Sequence, residues 1–203
     1  SFNIGTINEK QIFQGLNLTI NDGDFLTVIG GNGAGKSTML NLIAGVHKAD
    51  GGRIILDGED LTYKNETQRA RYIGRVFQDP MMGTAPTMMI EENLAMAYRR
   101  TKRRTLAWGI SQKERELYRD SLSQLGLGLE DRMKTKVGLL SGGQRQAVTL
   151  LMATLQKPKL LLLDEHTAAL DPATSAKVLQ LSDQIIRDHQ LTALMVTHNM
   201  QDA

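Results

Sequence analysis

The 203-residue sequence predicts an α/β fold in which helices cover a mainly parallel sheet. Three observations support this class. Short apolar runs of strand length alternate with helical patterns near both ends of the chain. The run at residues 159–163 is apolar on both faces, as strands in the middle of a parallel sheet are. A glycine-rich turn joins the first strand to the first helix, so we expect ligands at the carboxyl ends of the strands.

Each element follows from a local signal along the chain. Strands are predicted at residues 25–29, 53–57, 73–77, 159–163 and 192–197. Helices are predicted at residues 36–44, with Gly45 to end the helix, and at 91–98, 113–125, 141–156 and 173–188. Only helices are predicted within residues 79–140, which we interpret as a helical subdomain inserted into one domain covering residues 1–203. Both ends break off within patterns that look interior, which indicates a chain truncated at both ends.

Composition excludes several classes of function. A net charge of only +2 gives no general attraction to nucleic acid, so no nucleic-acid partner is expected. The chain has no cysteine, which excludes disulfides, thiolate metal sites and cysteine nucleophiles. No apolar run approaches the roughly 18 residues of a membrane helix. Any action at a membrane would therefore require docking onto another polypeptide.

The glycine-rich turn matches the pattern G-x-x-x-x-G-K-[ST] of a phosphate-binding loop, with a strand before it and a helix after it. Glycines let backbone N–H groups approach phosphate oxygens, and the helix N-terminus adds partial positive charge. The lysine can reach the β- and γ-phosphates, and the serine hydroxyl can ligate Mg²⁺. The sequence thus predicts a nucleoside triphosphate site at Gly30, Gly31, Asn32, Gly33, Ala34, Gly35, Lys36, Ser37 and Thr38.

Two carboxylates follow the apolar strand at 159–163. An acid at a strand end beside a phosphate loop is how such enzymes hold Mg²⁺, so Asp164 is predicted to serve the metal together with Ser37. Glu165 is predicted to be the general base that polarises an attacking water. The alternative is a solvated acidic turn, which is common at strand ends.

A second helix start follows at Ser141, Gly142, Gly143 and Gln144. Ser141 is a good N-cap, and the two glycines leave the first amides uncovered. Taken alone, this pattern favours a plain cap. Preceded by Leu140, however, these residues match the signature of the ABC ATPase family, and the sequence resembles that family along nearly its whole length.

The other family motifs occur in the expected order. Gln78 resembles the glutamine that touches Mg²⁺ and the attacking water. Asp171 resembles the D-loop aspartate, and it is also an N-cap candidate before Pro172. His198 resembles the switch histidine that contacts the γ-phosphate. Their alternatives are a polar strand end for Gln78 and a structural or solvated ring for His198.

The resemblance implies an ABC ATPase fold: a P-loop NTPase core, an antiparallel β edge and an inserted α-helical subdomain. It implies ATP hydrolysis with Mg²⁺ in a head-to-tail dimer of two copies, with each ATP lying between one phosphate loop and the other copy's Ser141 helix. It further implies transmembrane permease subunits as partners at the cytoplasmic face of the membrane, with the chain as a peripheral motor for solute transport, import being favoured.

This sequence also departs from the family pattern. His166 and Thr167 stand where a proline is common after the acidic pair, and His166 is expected to be a solvated ring rather than a titrating group near the site. Gly31 replaces a common proline or serine. Phe2 is the candidate for stacking on adenine, with Phe13 as the alternative, although Phe13 is expected to pack in the core.

Two surface features are left open. The basic run 99–104 is either a solvated face or a contact for acidic headgroups or an acidic loop of a partner. The methionine cluster Met81, Met82, Met88 and Met89 is either core packing or an adaptable surface for a transmembrane partner.

Two other functions remain as alternatives. A non-transport ABC ATPase of DNA repair or translation is disfavoured because neither a tandem ATPase domain nor a long coiled-coil insertion is visible. A P-loop enzyme of another class, such as a small-molecule kinase, is disfavoured by the Ser141 signature.

Overall fold

The computed structural model describes residues 12–13, 15–100 and 109–198 of the chain. Its strands are β1 (Phe25–Ile29), β2 (Ile55–Leu56), β3 (Glu59–Asp60), β4 (Ile73–Val76), β5 (Leu160–Asp164) and β6 (Ala193–Thr197). Four of them form a sheet in the order β1-β6-β5-β4, and every neighbouring pair in it is parallel. The predicted parallel sheet is therefore confirmed.

The sheet separates two hydrophobic cores because successive side chains of a strand point to opposite faces. β5 and β6 are buried along their whole length. One core takes the even-numbered Leu160, Leu162, Leu194 and Val196. The other core takes the odd-numbered Leu161, Leu163, Ala193 and Met195. Burial on both faces explains why these strands lack the alternating polarity of a one-sided sheet.

The helices are α1 (Lys36–Ala44), α2 (Glu66–Arg69), α3 (Ile90–Tyr98), α4 (Gln112–Ser123), α5 (Gly142–Thr154) and α6 (Pro172–His189). α1 has the predicted bounds and ends at Gly45, whose φ of 84° suits a glycine. At α6 the Asp171 carboxylate accepts a hydrogen bond from the Thr174 N–H at 3.0 Å, which confirms the predicted cap. In the part of the chain described, no helix combines the length and the apolar character needed to span a membrane.

The strand predicted at residues 53–57 is shorter than expected. Only Ile55–Leu56 is a strand, and it pairs antiparallel with β3. Asp57 and Gly58 between them have φ values of 51° and 74°, and positive φ at both positions is typical of a two-residue hairpin turn. Asp57 therefore belongs to the turn and not to the strand. This pair is the antiparallel element expected beside the parallel sheet.

Residues 79–140 contain α3, α4 and a 3-10 helix at Val137–Leu139. Buried side chains of this segment, such as Leu94, Tyr118 and Leu129, lie in the same core as Leu161 and Met195 of the sheet. Packing therefore joins the segment to one face of the sheet. Its assignment as a subdomain within a single domain stays a prediction.

Candidate functional site

The phosphate loop turns between β1 and α1 on glycines that adopt left-handed backbone conformations. Gly33 and Gly35 have φ values of 80° and 90°. A Cβ at Gly35 would also lie only 2.6 Å from Cγ2 of Ile12 and 3.1 Å from the Phe13 ring. Glycine is therefore required at position 35, because φ is positive there and because a Cβ would be too close to Ile12 and Phe13. Phe13 packs beside the loop and against the core on the α1 face, in agreement with its expected core position.

Lys36 lies in the loop with its side chain almost fully buried. Its ammonium donates hydrogen bonds to the carbonyl oxygens of Gly30 at 2.7 Å and Gly31 at 3.2 Å. It also forms an ion pair with Oε1 of Glu165 at 3.2 Å. The lysine therefore holds the phosphate loop against the acidic strand end.

The two acids after β5 serve different partners. Asp164 accepts a hydrogen bond from the Ser37 hydroxyl through Oδ1 at 3.2 Å. Adjacent strand residues would normally point to opposite faces. Glu165, however, has a φ of 45°, an uncommon value for a residue other than glycine. This backbone turn lets both carboxylates face the same edge of the sheet, and a hydrogen bond from the Glu165 N–H to the Val196 carbonyl at 3.0 Å holds it.

His198 follows β6, and its Nδ1 lies 3.0 Å from Oε2 of Glu165. Glu165 is therefore held from two sides, by Lys36 through one oxygen and by His198 through the other. The structure thus brings Lys36, Ser37, Asp164, Glu165 and His198 together at the carboxyl ends of β1, β5 and β6. Their functional roles stay predictions.

Two further residues of this region were missed by the sequence analysis. Arg75 on β4 donates from one guanidinium nitrogen to Oδ2 of Asp164 at 2.9 Å. Gln146, buried on α5, donates from Nε2 to the Phe77 carbonyl at 3.0 Å and so fixes the backbone just before Gln78. Two signals in the sequence could have identified them. Arg75 is a lone cation within a buried strand, and Gln146 is a glutamine on the core face of a helix.

Gln78 lies two residues after the end of β4 and is exposed. Its place at the end of a strand next to β5 agrees with a site at this edge of the sheet. The structure does not bring Gln78 into hydrogen-bond contact with Ser37 or Asp164, whose partners are each other and Arg75. Its role toward Mg²⁺ and water stays a prediction.

The Ser141 turn forms a separate part of the candidate site. Ser141 accepts from the Gln144 N–H, and the Gln144 side chain accepts from the Ser141 N–H, at 3.3 and 3.2 Å. This reciprocal pair is a capping box. Ser141 and Gly142 are exposed, whereas Gly143 is buried.

Gly143 lies against the first turn of α6. A Cβ on Gly143 would lie 2.2 Å from Cγ2 of Thr174, so this position admits no larger side chain without a shift. A Cβ on Gly142 would lie 3.1 Å from Leu170. The Ser141 turn thus packs against residues 170–174 of its own chain.

The expectation of a solvated His166 is wrong. The ring is buried, with 2% of its surface exposed, and Nε2 lies 2.9 Å from the Ser182 hydroxyl. Burial lowers the pKa of His166 to about 4, because the charged ring would lose its hydration. His166 is therefore a neutral structural residue that anchors the acidic loop to α6.

Phe2, the candidate for stacking on adenine, lies outside the described residues.

The donors at the strand ends fit a magnesium ion. Ser37 and Asp164 present a hydroxyl and a carboxylate oxygen 3.2 Å apart, and hard oxygen donors are what Mg²⁺ prefers. Within the described ranges there is no group of three or more His, Cys, Asp or Glu residues able to hold a metal. The one carboxylate and one hydroxyl of this pair suit Mg²⁺, because that ion is usually bound by one or two carboxylates plus substrate phosphates.

Sequence comparison relates the chain to known transport proteins. A sequence model of the family described as ABC transporter matches residues 13–168. The chain is 46% identical to the tyrosine transport ATP-binding protein of Clostridioides difficile over 95% of its own length and 76% of the relative's. It is 38% identical to the methionine import ATP-binding protein MetN of Rhizobium johnstonii over 92% of its length. It is 37% identical to the spermidine/putrescine import ATP-binding protein PotA of Pasteurella multocida over 96% of its length. The chain spans about half the length of these last two relatives.

Solved structures show the same fold. A dimeric structure of the ATP-binding cassette MJ0796, in a post-hydrolysis state bound to ADP and Pi, matches with a TM-score of 0.79 and 29% identity over 95% of this chain and 82% of that one. The structure of cbiO1 from Clostridium perfringens, part of the transporter complex cbiONQ, matches with a TM-score of 0.76 and 27% identity over 93% of this chain and 72% of that one. The fold class predicted from the sequence is therefore confirmed.

Proposed function

The chain belongs to the ABC transporter family as an ATP-binding, ATP-hydrolysing subunit, and from this premise we propose that it powers import of a small solute through separate membrane subunits. The comparisons confirm the family, the ATP binding and the ATPase class that the sequence predicted. Relatives named for tyrosine transport, methionine import and spermidine/putrescine import support a small solute as cargo. These names favour transport over DNA repair, translation or a kinase activity.

One observation carries the proposed catalytic mechanism: Lys36, Asp164, Glu165 and His198 converge at one edge of the sheet. The β- and γ-phosphates of ATP attract the Lys36 ammonium, which then leaves Oε1 of Glu165. That oxygen becomes available to accept the proton of an attacking water. His198 holds Oε2 of the carboxylate in place through Nδ1, and its contact with the γ-phosphate stays a prediction.

The metal site is proposed at the start of α1. Ser37 Oγ and Asp164 Oδ1 would hold Mg²⁺, with Gln78 as a further oxygen donor toward the metal and the attacking water. When bound, the ion neutralises negative charge on the triphosphate. Ser37 and Asp164 lie on different elements, so their 3.2 Å contact also ties α1 to β5.

Two copies are proposed to form a head-to-tail dimer around ATP. Ser141 and Gly142 are exposed at the N-terminus of the 13-residue helix α5, where amides and the helix dipole attract anions. Within its own chain the turn lies against Leu170 and Thr174, and the exposed side at Ser141 and Gly142 is left for a second copy. The dimeric relative supports this arrangement. Hydrolysis would remove the anion that both copies share.

Glu165→Gln tests the general base. The variant removes the basic carboxylate but keeps the shape, so we expect steady ATP turnover to be abolished while ATP-dependent dimerisation persists. Glu59→Gln is the matched control, because Glu59 is an exposed carboxylate on β3 that forms an ion pair with Lys64. Phosphate release and size-exclusion chromatography with ATP give the two measurements. Normal turnover in Glu165→Gln would refute the base assignment.

A groove along β4 is the proposed docking site for the membrane subunit. Its volume is about 470 Å³, and its lining includes Arg75, Phe77, Met82, Met96 and Arg100. Met82 and Met96 expose 69% and 47% of their surface. Methionines adapt to apolar partners, and the Arg100 guanidinium in the lining favours an acidic residue beside it. A short amphipathic segment with an acidic side chain fits this groove.

The absence of native cysteine allows a clean test of docking. Met82→Cys places a single thiol in the groove, and Tyr63→Cys is the control because Tyr63 is 96% exposed and does not line the groove. We expect a thiol-directed crosslinker in membranes to join the position-82 variant, and not the position-63 variant, to a membrane-spanning subunit. Equal labelling of both positions, or no membrane subunit at position 82, would contradict the docking site. Such docking would place the chain peripherally at the cytoplasmic face.

A further inference from the structure

We propose that Arg75 is an internal counter-ion for Asp164 that opposes metal binding in the absence of nucleotide, so that the divalent ion binds productively only together with the triphosphate. Arg75 would act through Asp164 as a positioning residue. The inference rests on the proposed metal site and concerns how that site is regulated.

The position of Arg75 follows from the sheet. Arg75 lies opposite Leu162 in the parallel register of β4 and β5, and Asp164 is two residues further along β5. Residues two apart on a strand share a face, so both side chains lie on the face covered by α1. Arg75 donates to Oδ2 of Asp164 at 2.9 Å, and only 12% and 11% of the two side chains are exposed.

Both oxygens of Asp164 therefore already have partners. Oδ1 accepts from the Ser37 hydroxyl, and Oδ2 accepts from Arg75. The guanidinium also lies over the Phe77 ring, with its central carbon 4.6 Å from the ring centroid. Its Nε is buried with no hydrogen-bond partner in the part of the chain described. Packing therefore holds the cation on Asp164.

A fixed cation on the Asp164 carboxylate changes the electrostatic charge at the proposed metal site. The negative charge of Asp164 is balanced before any metal arrives, and a divalent ion placed between Ser37 and Asp164 would be repelled by Arg75. The phosphates of ATP supply the missing negative charge. The structure thus predicts weak metal binding to the nucleotide-free chain and stronger binding in the presence of ATP.

The test is a titration of the nucleotide-free full chain with Mn²⁺, followed by electron paramagnetic resonance of the free ion. Arg75→Met removes the cation, Arg75→Lys keeps the charge, and Arg115→Met is the matched control. Arg115 pairs at 3.0 Å with Glu91, another nearly buried carboxylate, on the helical segment. We expect Arg75→Met to bind Mn²⁺ at least about tenfold more tightly than wild type, because a repulsive unit charge beside the site is lost.

Arg75→Lys and Arg115→Met should bind Mn²⁺ like wild type. Affinity in Arg75→Met equal to or weaker than wild type would overturn the proposal, as would equal tightening in Arg75→Lys. Should Arg75→Met fail to fold by circular dichroism, Arg75→Gln provides the same neutral replacement. A repeat with ATP, compared with Mn²⁺ and ATP without protein because ATP itself binds the ion, separates the two claims. If no variant binds Mn²⁺ beyond the amount that ATP alone takes up, the metal site itself is overturned and this inference with it.

Discussion

Acidifying the nucleotide-free protein from pH 7 to pH 5 should destabilise it through His166. The Ser182 hydroxyl donates to the Val178 carbonyl at 2.8 Å, so it must accept from Nε2 of His166. Nε2 of the ring therefore carries a proton, and burial keeps the ring neutral in the folded state near pH 7. Burial lowers its pKa to about 4.

The size of the effect follows from proton linkage. In the unfolded chain a histidine has a pKa of about 6.5. The folded-state pKa is lower, so the contribution of His166 to stability is fully present above about pH 6.5 and is lost as the pH falls toward 4. Between pH 7 and pH 5 this difference amounts to about 2 kcal/mol of the free energy of unfolding.

Urea unfolding at both pH values measures this loss in wild type and in His166→Gln, which has an amide N–H that can replace the ring as donor to Ser182. Groups other than His166 contribute to both proteins, so the difference between their pH dependences isolates the ring. Wild type should lose about 2 kcal/mol more than His166→Gln. Equal losses in wild type and His166→Gln would refute the buried neutral histidine.

Two other substitutions give independent predictions. Lys36→Ala should weaken ATP binding by about 10- to 100-fold in titration calorimetry, because a charged hydrogen-bond donor to the phosphates is lost, whereas Lys64→Ala should not; an unchanged dissociation constant would count against the loop. Gly143→Ala should cost about 1–3 kcal/mol of unfolding free energy in urea, because its Cβ would overlap Cγ2 of Thr174. Adding Thr174→Ser removes that methyl group and should restore most of the loss; no recovery would refute the overlap.

Local signals carried much of the fold prediction. The helix 36–44 was predicted with its final bounds because a glycine turn precedes it and Gly45 ends it. The cap at Asp171 was also predictable from a local signal, since a short polar side chain followed by proline specifies a helix start within a few residues. In the candidate site, the phosphate-loop pattern and the two acids at the end of a buried strand predicted that Ser37, Asp164 and Glu165 lie at the same edge of the sheet.

The remaining features depend on partners distant in sequence. His166 was expected in solvent because the residues next to it in sequence do not indicate a contact with Ser182, which lies sixteen positions later on α6. Arg75 passed unnoticed because its partner Asp164 is 89 positions away, and only the register of β4 on β5 brings the two together. Such pairs are set by tertiary packing, which a local pattern does not encode.

A mixing experiment with two defective variants examines most directly whether two copies share each ATP. Both variants carry Glu165→Gln to retain ATP; one adds Lys36→Ala and the other adds Ser141→Arg. In a head-to-tail dimer of one copy of each, one site combines both defects and the other is intact. Gel filtration with labelled ATP should then show almost no retention by either variant alone, and up to about a quarter of the Glu165→Gln level in an equal mixture, since half of random dimers are mixed. Retention in the mixture no higher than in the separate variants would contradict a site built from two chains.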